Sequence, residues 1–130
     1  MIGFTVTGHA QAPVEEVWKL LFDPVRFPEW WVGVETVRTD QPGEYTLWPV
    51  GYPDFPMPQQ LRTDTSAGRV TMSCQVSDID FGWRLADTGG GTAIEVRVDL
   101  PAAQRHRLDG QREVITESMA RLVALAESTG

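Results

Sequence analysis

The sequence predicts an α+β domain: seven antiparallel strands in one curved sheet, two short helices between strands one and two, and a long C-terminal helix against the sheet. Three patterns predict it. Apolar and polar residues alternate with period two around 70–76, 81–86 and 94–100, the mark of strands with one dry and one wet face. Between Pro101 and Glu127 the period changes to 3.6. The only other helical spacing is short and lies near the start. A twisted sheet with one apolar face must be covered, and only the last helix is long enough to do so.

The opening stretch, Phe4 to Gln11, alternates apolar or small residues with polar ones and reads as a half-buried strand. Pro13 suits a first helical turn, and Val14, Val17, Trp18 and Leu21 then share one helical face. Asp23-Pro24 reads as a cap and first-turn proline opening a second short helix, which Pro28 ends or bends before Trp30 and Trp31. Strands at 33–39 and 44–50 flank the turn signal Asp40-Gln-Pro-Gly43. The prolines of Gly51 to Pro58 exclude a central strand and predict an exposed, aromatic loop. A fourth strand runs from Gln59 to Ser66 and turns at Ala67-Gly68.

Val70, Met72, Cys74 and Val76 then form one apolar face, followed by Phe81, Trp83 and Leu85, and by Ile94, Val96, Val98 and Leu100. These three strands form a meander whose charged outer residues are expected to pair across strands. On the closing helix, Leu108, Ile115, Met119, Leu122 and Ala126 line one side, broadened by Val114, Val123 and Leu125. Asp109 beside Gly110 suits an inner restart. Helical from Gln111 to Ser128, the element would be roughly 27 Å long.

Composition bounds function. The 130 residues read as one domain over 1–130, large enough for a core without disulfides or structural metal. A net charge of −7 and the absence of any basic stripe argue against nucleic acid and anionic membranes. No apolar run approaches the roughly 20 residues that span a bilayer, so stable membrane insertion is not expected. Met1-Ile2-Gly3-Phe4 lacks a basic, apolar leader, and Cys74 is a lone cysteine, so a reducing cytoplasm is the expected setting. Ten arginines to one lysine, and no asparagine, point to a GC-rich bacterial genome.

Three segments together carry a family likeness. They are Ala12-Pro-Val-Glu-Glu-Val-Trp18, then Asp23-Pro24 with Phe27-Pro-Glu-Trp30, and finally Trp83-Arg-Leu85 with Gly90-Gly-Thr92 and the amphipathic closing helix. Across essentially the whole chain they resemble the START-like (SRPBCC) superfamily, which includes polyketide cyclases, Bet v 1-like proteins and lipid-transfer domains. The sequence is most similar to the short bacterial polyketide cyclase/dehydrase branch. The resemblance implies a helix-grip fold with a ligand cavity between sheet and C-terminal helix.

Motifs for other chemistry are missing. Glycines 89–91 have no following lysine or helix and read as a hairpin turn. No Gly-x-Ser-x-Gly elbow occurs. His9 and His106 lie on different elements without metal spacing and read as surface residues. Cys74 sits in an apolar alternation and reads as a small buried hydrophobe. No metal, cofactor or catalytic residue is assigned.

The informative class is aromatic: five Trp, five Phe and two Tyr. Trp18 and Trp30 fall at core positions. Strand phase selects the expected cavity lining as Tyr45, Leu47, Leu61, Thr63, Met72, Cys74, Trp83, Ile115 and Met119. Trp48 joins them if a bulge near Pro49 reverses its side. Tyr45, Thr63 and Ser118 would be the polar handles, and Tyr52, Phe55 and Met57 the cavity mouth. The favoured function is binding of a small hydrophobic or aromatic molecule, polyketide- or lipid-like. The alternatives are a polyketide aromatase/cyclase that shapes its substrate, with Arg62 a pocket candidate only if it turns inward, and an interaction module using loop 51–58.

Overall fold

The computed structural model describes residues 2–129. Seven strands form one sheet: β1 Ile2–Ala10, β2 Val34–Thr39, β3 Glu44–Pro49, β4 Met57–Asp64, β5 Arg69–Cys74, β6 Asp80–Asp87 and β7 Thr92–Leu100. Helix α1 (Val14–Phe22) and a 3-10 segment (Pro24–Glu29) separate β1 from β2. A second 3-10 segment (Ala102–Arg107) leads into α2 (Leu108–Thr129). The strand order is β1-β7-β6-β5-β4-β3-β2, antiparallel throughout. This is the α+β helix-grip arrangement. Among the described residues no helix is long and apolar enough to cross a membrane.

The alternation places the core where the sequence predicts. Met72, Val96 and Val98 are fully buried while Arg97 is exposed and Thr71 only half-buried. On α2, Ile115, Met119, Leu122 and Ala126 are buried, with Leu108, Val114, Val123 and Leu125 packed at their margin. The helix begins at Leu108, ahead of the expected start at Gln111, and the restart expected at Asp109 is absorbed into it. Helix and sheet meet closely at β1: a Cβ on Gly8 would lie 2.8 Å from Met119 Sδ, so a side chain there would have to push Met119 aside.

Three expectations fail. The loop expected through Pro58 ends two residues early: Met57 and Pro58 open β4 and pair with Leu47 and Thr46, Pro58 being tolerated next to the strand's first residue. Val76 does not continue the β5 alternation: the strand ends at Cys74, and Val76 is exposed in the turn to β6 while Ser77 and Ile79 are buried. Asp78 turns the chain there with φ of 59°, and its N–H donates to the Cys74 carbonyl at 3.0 Å. Among the described residues the outer charges also form no cross-strand ion pair. Arg84 does stand opposite Glu95, but Arg69 stands opposite Arg84 and Asp80 opposite Asp99, like against like, and Arg97 pairs along its own strand with Asp99 at 3.0 Å.

Candidate functional site

The candidate site is the concave side of the sheet, and the segment after α1 decides how much of it stays open. Asp23 caps the 3-10 turn by accepting a hydrogen bond from the Val25 N–H at 3.2 Å. This turn carries Phe27 inward, and Trp30 and Trp31 follow. Phe27 packs 5.4 Å from Tyr45, and Trp30 packs 5.3 Å from Trp83, both edge to face. The Trp30 indole N–H donates to the Leu20 carbonyl at 2.9 Å. One end of the groove is thereby filled with aromatic rings.

The other end is open. A cavity of about 240 Å³ lies between β2–β6 and the first turns of α2. Its wall is largely apolar: Trp31, Val34, Leu47, Met57, Phe81 and Val114 are the main contributors, and the sheet adds Cys74 and Gln59. An adjoining outer cleft of about 390 Å³ is lined by Tyr52, Phe55, Met57 and Val76, with Gln104 and Arg107 from the segment before α2. The two hollows share Pro49, Met57, Ser77 and Arg107.

The structure sorts the expected residues. Leu47 and Cys74 line the inner cavity, Tyr52 and Phe55 line the outer cleft, and Met57 belongs to both. Tyr45 is buried between Phe27 and the sheet, outside the cavity's lining. Met72, Trp83, Ile115 and Met119 are buried in the packed core, and Leu61 packs at its edge. None of these five lines the cavity. Trp83 is excluded because Trp30 covers it.

Thr63 is exposed, contrary to expectation. Its phase is inward, but pairing with β3 stops at Glu44–Gln60, so β4 has a bare edge beyond that point. Trp48 is also not in the cavity. The irregular register lies in β2, between Val34 and Thr36, not at Pro49. Trp48 therefore borders an outer-face groove with Glu35 and Thr36, its ring under the Arg38 guanidinium at 5.4 Å. Arg62 is exposed.

Sequence phase missed Trp31, Ile79, Gln59, Arg107, Gln111 and Val114. Val114 had a readable signal in the α2 period. Trp31 and Ile79 sit on irregular backbone, where no period assigns a side.

Polar chemistry at the site is sparse. Ser118 is fully buried, but its hydroxyl donates to the Val114 carbonyl at 2.7 Å and accepts from the Val32 N–H at 3.0 Å. It ties the cavity-wall loop to α2 and has no proton left for a ligand. Tyr45 is different: its hydroxyl is buried with no protein partner among the described residues. Desolvation, with a smaller contribution from the Cys74 thiol, pushes its pKa far above the ordinary tyrosine range. In the sheet Tyr45 stands opposite Gln59, which stands opposite Cys74, so three polar-tipped side chains form one row. Among the described residues no Asp, Glu or His lines either hollow.

The family described as polyketide cyclase / dehydrase and lipid transport matches residues 1–127. The chain belongs to this family. No curated protein matches the sequence. Solved structures share the fold at low identity. Protein MLL2253 from Mesorhizobium loti is 13% identical, with a TM-score of 0.80 over 99% of each chain. Protein NE0264 from Nitrosomonas europaea is 19% identical, with a TM-score of 0.79 over 98% of this chain and 96% of that one. The di-domain aromatase/cyclase StfQ of the steffimycin pathway is 18% identical, with a TM-score of 0.76 over 97% of this chain and 45% of its own.

Proposed function

We propose that the protein binds a small hydrophobic or aromatic molecule, polyketide- or lipid-like, between the β2–β6 face and the start of α2. The observation that carries this reading is the largely apolar cavity of about 240 Å³ in a core otherwise packed with rings. An apolar cavity of roughly 150 Å³ already holds benzene, so a two-ring or acyl body is the matching size. Burial at about 25 cal/mol per Å² supplies the attraction, less the loss of the ligand's freedom. The family description, which joins cyclases with lipid transport, supports the same class of ligand.

Polyketide cyclisation is the second reading, and the family description favours it. That role depends on shaping the substrate, consistent with the mainly apolar wall.

Titration with neutral probes, 2-naphthol and dodecan-1-ol, tests the binding reading. Both should quench or shift tryptophan emission saturably through Trp31, raise the melting temperature, and resist added salt. Cys74→Phe, which fills the cavity, should suppress the response while the protein stays folded. An unchanged spectrum and melting curve with both probes would overturn the reading.

A further inference from the structure

We propose that the cavity selects amphipathic acids, molecules with an apolar body and one carboxylate, and that Arg107 holds the charged end. The inference rests on the binding reading above and adds the chemistry of the ligand's polar end.

Arg107 closes the 3-10 segment that precedes α2 and lines both hollows, at the seam where the inner cavity meets the outer cleft. It is the one charged side chain in either lining. Among the described residues it makes no ion pair, although the chain carries a net charge of −7. Arg26, Arg38, Arg97 and Arg121 each lie beside an acid; of the arginines that do not, Arg107 is the one that lines the hollows. A guanidinium is always charged, and its planar fork matches a carboxylate with two parallel hydrogen bonds.

The surroundings favour the same partner. The 22-residue helix α2 begins at the next residue, so the positive end of its dipole adds to the arginine's field, offset in part by the exposed first-turn acid Asp109, which lines neither hollow. Gln111, one turn in, lines the cavity as a neutral donor. Gln104, on the outer cleft, keeps a buried carbonyl oxygen without a protein partner, an acceptor for a hydroxyl or water hydrogen accompanying the carboxylate.

This polarity sets the ligand's direction. A carboxylate carried past Arg107 would face Trp31, Leu47, Phe81 and Val114 with no cation among them, a large desolvation penalty. The apolar end therefore enters first, and the acid stops at the seam. The aromatic cleft of Tyr52 and Phe55 covers what projects beyond.

The test is calorimetric titration of the full chain with matched pairs: 2-naphthylacetic acid against 2-naphthylacetamide, and dodecanoic acid against dodecan-1-ol. Each acid should bind roughly tenfold more tightly than its neutral partner, the size of one charge-assisted hydrogen-bonded contact. That preference should shrink with salt. Arg107→Gln should abolish the preference by weakening the acids far more than their neutral partners; Arg107→Lys, a point charge without the fork, should retain part of it. Arg107 is exposed, so both variants should melt as the parent does. Neutral and acid binding equally, or a preference that survives Arg107→Gln, overturns this inference and leaves the binding reading intact. No binding by any of the four probes overturns both.

Discussion

The two ends of the concave groove are built from the same sheet and the same apolar phase, yet one is filled and the other hollow. At the filled end, Phe27 and Trp30 reach in from the 3-10 turn and stack edge to face against Tyr45 and Trp83. At the open end, Trp31 reaches only as far as Phe81, 4.9 Å between ring centres, and the wall between Leu47, Met57 and Val114 stays uncovered. The difference lies in the covering segment, not in the strands. Six residues of 3-10 helix, capped by Asp23 and containing Pro28, decide where packing stops. A fold of this kind can change its ligand space by changing a short connection while the sheet stays the same.

The contrast is sharpest in large-to-small substitutions. Trp30→Ala at the filled end should destabilise by roughly 3–5 kcal/mol, since it opens a void and removes the bond to the Leu20 carbonyl. Met57→Ala at the open end removes a half-buried side chain that already borders a void, so its stability loss should stay near about 1 kcal/mol. Its effect should instead be weaker binding of 2-naphthol. Chemical denaturation alongside fluorescence titration separates the two; equal destabilisation would show that the ends do not differ as described. A smaller effect is expected at the seam. Ser118→Ala leaves the Val32 N–H without its partner and should lower stability by about 1–2 kcal/mol. Binding should weaken with it, because Val32 is part of the cavity wall. A stability loss with unaltered binding would mean the 31–33 loop is positioned by other contacts.

These expectations also show how much was legible in the sequence. Period-two alternation fixed the buried faces of β5, β6 and β7 correctly, and the 3.6 period fixed the inner face of α2. Periodicity reports which side of an element is dry. It does not report whether the dry side meets a side chain or a hollow. Met72, Trp83, Ile115 and Met119 were therefore selected on the right face but lie in packed core. Thr63 failed for a different reason: strand phase runs on past the point where the neighbouring strand stops. Trp31 and Arg107 lie just outside regular periods, where the sequence offers no geometry.

The central claim, that the open end and not the filled end receives the ligand, is tested most directly by methyl NMR of ¹³C-labelled methionine. Met57 lines the open cavity, while Met72 and Met119 are buried in packed core. Adding 2-naphthol should move the Met57 methyl signal progressively to saturation and leave those of Met72 and Met119 in place. Movement of Met72 or Met119 with Met57 unmoved would place the ligand in the packed core, or require that core to open, and would contradict the account.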